Sequence, residues 1–214
     1  MATAAQPSTM ARAPSDGTRP KLHVVADGEP GIDVPRAERA VAELLAALGR
    51  DPSSGDLAET PRRVAASYAE LLTPPAFTLT TFPNDEGYDE LVLARSIPFS
   101  SLCEHHLLPF TGVAHVGYLP AARILGLSKL ARVIELFARR LQVQERLTRQ
   151  VAGWLQTNLQ PKGVGVVLEA EHLCVSLRGV RAAGTRTVTS TLSGALREDP
   201  RSRQEFLALT GVAG

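Results

Sequence analysis

SKLARVIELFARRLQVQERLTRQVAGWLQTNLQPKGVGVVLEA, residues 128–170, carries two helical periods and then a strand. Leu130, Val133, Ile134, Phe137 and Leu141 recur at helical spacing and predict an amphipathic helix over 128–141. Leu147, Val151, Trp154, Leu155 and Leu159 predict a second over 144–159. Pro161-Lys162-Gly163 breaks it, and the apolar, β-branched run 164–170 that follows reads as a strand.

Outward from this stretch the pattern repeats. Upstream, 91–99 and 112–119 read as strands; downstream, 173–178 and 185–192 do. Further upstream, Ala37, Ala40, Val41, Leu44, Leu45 and Leu48 mark a helix opening near Pro35, with Asp33 as its cap and Gly49 as its stop. A second helix opens at Thr60-Pro61 and ends at Thr73-Pro74-Pro75. Helices, two strands, two helices and two strands predict an α+β fold, with an antiparallel sheet carrying helices on one face. Residues 1–34 are rich in Ala, Pro, Ser, Gly and Asp and read as a disordered tail. Residues 35–75 form a helical region, and 76–214 the main domain.

The 214 residues carry a formal net charge of +1. No overall field draws the chain to nucleic acid, and any anion must be met by a local cluster. No apolar run approaches the roughly 20 residues of a membrane helix. Arg12 and Arg19 are followed by no apolar stretch, so a secretory signal is not expected and the cytoplasm is. There are only two cysteines, Cys103 and Cys174, and both lie next to histidines. In a cytosolic chain that pattern points to metal or catalysis sooner than to a disulfide.

Ser101-Leu-Cys103-Glu104-His105-His106-Leu-Leu-Pro109-Phe110 is the densest cluster. Cys103 and His106 are spaced to reach one ion from a turn, and thiolate with imidazole suits zinc. In Glu171-His172-Leu173-Cys174-Val175-Ser176-Leu177-Arg178, a strand would put His172, Cys174, Ser176 and Arg178 on one face, with Cys174 as third ligand. Three ligands and an open position make a catalytic zinc, which activates water at neutral pH, with His105 and His172 left for acid–base work. Two other readings stay open: ordinary core residues, or a closed structural zinc with His105 as fourth ligand.

Gly126-Leu127-Ser128-Lys129-Leu130-Ala131-Arg132 suggests an anion site. Ser128 caps the helix, and Lys129 and Arg132 sit in a first turn whose N–H groups are free. A solvated face reads as well from that segment alone. Gln142-Val143-Gln144-Glu145-Arg146 could read a guanine edge or be a plain solvated helix start.

Taken together these segments resemble GTP cyclohydrolase I. The likeness lies in 101–110, 126–132, 140–148, 169–174 and Arg178-Gly-Val180, and more weakly from 35 to Glu205-Phe206. The resemblance implies a tunnelling fold: an antiparallel sheet whose copies join into a barrel, with an N-terminal helical extension. It implies a homodecamer of two pentamers, with sites between subunits. It implies Cys103, His106 and Cys174 as zinc ligands and His105 and His172 as proton-transfer residues, with Ser128 assisting. Gln144 and Glu145 would read guanine, and Lys129, Arg132, Arg178 and Arg63 would hold the triphosphate. This chain has Ala66 where some members carry lysine. The implied reaction is hydrolytic opening of GTP to dihydroneopterin triphosphate with loss of formate, and the implied metal is Zn2+.

Overall fold

The computed structural model describes residues 31–211 and the backbone of a short strand, β1 (Leu22–Val24), inside the expected tail. α1 (Val34–Ala47) opens on Asp33, whose side chain accepts from Arg36 N–H at 2.9 Å. It buries no residue, whereas α2 (Thr60–Leu71) buries Pro61 and Ala65. β1 pairs antiparallel with β2 (Phe77–Leu79), and β3 (Thr81–Pro83) with β6 (Arg123–Leu125).

The main sheet has five strands. They are β4 (Val92–Cys103), β5 (Pro109–Leu119), β7 (Leu141–Gln142), β8 (Gly163–His172) and β9 (Thr187–Gly194), in the order β7-β4-β5-β8-β9. Four of them run antiparallel, but β7 joins β4 in parallel, so the sheet is mixed and not purely antiparallel. That pairing also shortens the first predicted helix. α3 spans Ser128–Ala138, because Leu141 and Gln142 hydrogen-bond with the end of β4 instead of continuing the helix. α4 spans Gln144–Leu159. A bulge between Ala94 and Ile97, with Ser96 at φ 56°, bends the long β4.

Helices cover both faces, where the sequence predicted one. Ala114, Val116 and Tyr118 of β5 and Val164, Val166 and Leu168 of β8 are fully or almost fully buried in a core with α3 and α4. On the opposite face, α6 (Ala195–Glu198) and α7 (Pro200–Thr210) bring Leu196 and Phe206 onto Val167. The Phe206 ring fills a notch left by two paired glycines. A Cβ on Gly165 would come within 2.7 Å of it, and one on Gly117 within 3.0 Å. Residues 173–178, predicted as strand, instead begin with the short α5 (Leu173–Ser176).

Candidate metal centre and active site

β4 ends at Cys103 and the chain reverses at once. Cys103 N–H donates to Leu108 O at 2.9 Å, and the N–H groups of His106 and Leu107 donate to Cys103 O at 3.3 and 2.8 Å. Leu107 sits at φ 55°, a left-handed conformation costly for a branched side chain. Two outside bonds hold the turn. Tyr68 of α2 donates its hydroxyl to Leu107 O at 2.9 Å, and Glu104 N–H donates to Gln142 O at 3.0 Å. Cys174 arrives from two strands away. β8 is extended through His172, which pairs with Phe110, and α5 then turns Cys174 toward Cys103.

Among the described residues, Cys103, His106 and Cys174 bring one ligand atom each within 4.8 Å of one another. The two Sγ atoms are 3.9 Å apart, and Cys103 Sγ is 3.7 Å from His106 Nδ1. A tetrahedral zinc with sulfur at about 2.3 Å and nitrogen at about 2.0 Å needs separations of about 3.8 and 3.5 Å. Both cysteines are buried, and neither is in a disulfide. Burial pushes the Cys174 thiol up, the neighbouring Cys103 adds to that, and Arg178 opposes it. Two thiolates so placed require a cation between them, so the donor set fits a divalent metal.

His105 lies 4.0 Å from Cys103 Sγ through Nδ1 but stays outside the converging group, and its side chain is 64% exposed. Its ligand atoms are therefore not among the three that converge. Its Nε2 is 3.8 Å from Glu104 Oε1, and Glu104 is ion-paired with Arg146, which holds its carboxyl below the usual range. Arg146 in turn donates to Gln142 Oε1 at 2.9 Å and Leu141 O at 2.8 Å.

His172 stacks on Phe110, with ring centroids 4.6 Å apart and planes 2° from parallel. Its Nε2 meets Gln144 Oε1 at 2.7 Å. Burial lowers the His172 pKa, against the smaller opposing pull of Glu145. The Gln144 side chain is buried, and its amide nitrogen donates to Leu168 O, Thr187 O and Thr189 Oγ1. The amide nitrogen of Gln144 is therefore already engaged within the chain, and its amide oxygen already meets His172. Glu145 is exposed and lines a cleft of about 330 Å³ with Thr148, Arg149, Thr189, Ser190 and Thr191.

The anion cluster is placed differently. Ser128 is the first helical residue of α3 and makes no capping bond, because Leu127 holds the cap position. The N–H groups of Lys129 and Leu130 are spent on Gly126 O and Leu127 O. Any anion there must therefore be met by side chains and not by those backbone groups. Arg132 pairs with Glu135 at 2.9 Å, and Glu135 also holds Arg139. The far end of α3 is tied to β4 by Ser101 Oγ, which donates to Ala138 O at 2.6 Å, so Ser128 lies a helix length of about 15 Å from that tie. Arg63 and Arg178 are exposed, on α2 and after α5. Among the described residues no hydrogen bond or ion pair joins Ser128, Lys129, Arg132 or Arg63 to the metal cluster.

Tyr68 carries no functional signal in the sequence, and Gln142 and Arg146, though part of the polar cluster at 142–146, show no sign there of a role in holding the Cys103 turn. No helix among the described residues is long and apolar enough to cross a membrane.

The GTP cyclohydrolase I family profile matches residues 37–211. The GTP cyclohydrolase 1 of Streptomyces avermitilis is 53% identical over 196 residues, covering 87% of this chain and 96% of that protein. That of Thermobifida fusca is 53% identical over 185 residues, 84% of this chain and 89% of the relative. That of Mycolicibacterium gilvum is 52% identical over 198 residues, 90% and 98%.

Proposed function

The chain belongs to the GTP cyclohydrolase I family, and we propose that it carries out that family's hydrolysis of GTP with a zinc ion held by Cys103, His106 and Cys174. The observation that carries the reading is the sulfur–sulfur and sulfur–nitrogen spacing of those three donors. Bound there with one position open, zinc supplies Lewis acidity and activates water at neutral pH.

The chain's own groups do the rest. Water adds at C8 of guanine while His105, exposed beside the cluster, delivers a proton to N7. The imidazole ring opens, a second hydrolysis releases formate, and the ribose carbons rearrange and close to dihydroneopterin triphosphate. His172 and Ser128 move protons in those later steps. The Glu145 carboxylate accepts from the N–H edge of guanine, in a cleft whose other walls carry Arg149 and the hydroxyls of Thr148, Thr189, Ser190 and Thr191. Lys129, Arg132, Arg178 and Arg63 neutralise the triphosphate. The product enters pterin and folate synthesis.

The working form is a homo-oligomer of tunnelling-fold subunits, a decamer of two pentamers, in the cytoplasm. Separation of the α3 start from the metal end of the same subunit supports a site completed by a second copy. Two unpaired thiols are in keeping with a reducing compartment. The test is incubation of the purified protein with GTP, followed by oxidation and detection of a fluorescent pterin, with and without a chelator. Pterin formed at full rate in thoroughly metal-stripped protein would end the zinc reading; no pterin at all in zinc-loaded protein would end the reaction.

A further inference from the structure

The hydrogen bonds around Gln144 determine where the proton sits on His172. The Gln144 amide nitrogen faces Thr187 O at 2.9 Å and Leu168 O at 3.1 Å. Carbonyl oxygens only accept, so the group facing them must be the NH2; a flipped amide would set oxygen against oxygen twice. Thr189 Oγ1, at 3.2 Å, lies on the same side. The amide oxygen is then the atom 2.7 Å from His172 Nε2. An amide oxygen also only accepts, so Nε2 must carry a hydrogen. In a neutral imidazole the other nitrogen is then bare. Among the described residues Nδ1 has no hydrogen-bond partner, while the Phe110 stack fixes the ring plane.

We propose that Gln144 is a positioning residue that locks the neutral His172 ring as its Nε2–H tautomer and so reserves Nδ1 as the proton-accepting atom. This role presupposes that His172 transfers protons, as set out above. An amide suits the task better than a carboxylate. Its NH2 is anchored on two backbone carbonyls, which leaves its oxygen as the one group that can face Nε2, whereas a carboxylate would set oxygen against both carbonyls. The anchors of Gln144 lie on β8 and β9, so the sheet itself sets the tautomer.

The test is magic-angle-spinning NMR of the zinc-loaded wild-type protein with ring-15N histidine, His172 being assigned by its loss in His172→Ala. The expected spectrum has a protonated Nε2 and a bare Nδ1. Gln144→Met should mix the tautomers and lower turnover roughly 10- to 100-fold, with zinc content and the KM for GTP unchanged. A wild-type His172 protonated on Nδ1 overturns the proposal, and that measurement needs no folded variant. Wild-type turnover in a folded Gln144→Met protein overturns it too. Full turnover in His172→Ala instead overturns the proton-transfer role, and the wild-type spectrum tells that failure apart from a wrong tautomer.

Discussion

The proposed metal end and the proposed anion end of this chain are built on opposite plans. At the metal end the two thiols and the His172 ring are held by their own chain, while His105 and His106 are exposed. Cys103 and Cys174 are buried, Tyr68 and Gln142 pin the turn, and Gln144 and Phe110 fix His172. At the start of α3 Ser128 and Arg132 are exposed, and two first-turn N–H groups are already used. The difference separates preorganisation from recognition. Bond-making groups need fixed geometry before substrate arrives. On the proposed reading, cations that meet a flexible triphosphate can stay in water until it comes.

The contrast breaks most sharply at the metal. Cys174→Ser should lose about one zinc per chain and lower turnover by roughly 10³-fold or more, read by metal analysis beside the pterin assay. Full activity in a zinc-free variant would erase the distinction. Mixing tests whether the two ends of one site come from two chains. Cys103→Ser and Arg132→Ala proteins, each nearly inactive, are unfolded together and refolded as mixed oligomers. Random mixing joins an intact metal end to an intact anion end at about a quarter of interfaces, and activity should recover toward that fraction. A double mutant mixed with either single mutant is the control and should not recover so. No recovery in oligomers proven mixed by mass would put both ends in one chain.

His105 sharpens the metal end itself. His105→Ala should keep zinc and lose roughly 10²-fold in rate, and loss of zinc would make it a ligand. The smallest effect is expected at Glu145. Glu145→Ala should weaken GTP binding by about 1–3 kcal/mol, the cost of an unpaired buried donor, measured as KM or by calorimetry. Exposed Glu205 on α7 is the comparison, because Glu135 holds two arginines and would report on them. Equal small changes at 145 and 205 would return Glu145 to a solvated helix start.

Periodicity made α4 legible to the residue, since Leu147, Val151, Leu155 and Leu159 face one core. It overran α3, because pairing of Leu141–Gln142 with β4 is a tertiary event with no local signature. Alternation of Leu173, Val175 and Leu177 imitated a strand where four residues turn as helix. The C-terminal helices went unread although Asp199-Pro200 is a helix start, and Asp199 does accept from Arg201 and Ser202 N–H. The metal set was readable from residue type and family likeness, because ligand chemistry admits few side chains. Gln144 was not, since its bonds to Leu168, Thr187 and His172 cross long stretches of sequence.

Phe206 in its glycine notch has a consequence for how such a chain can vary. A methyl at Gly165 has nowhere to go while the ring is there, and shrinking the ring alone leaves a hole over Val167. Either change alone should destabilise the fold, and the two together should cost less than their sum. Positions 165 and 206 are therefore expected to vary together: a line of descent that gains a side chain at 165 on β8 should carry a smaller residue at 206 on α7.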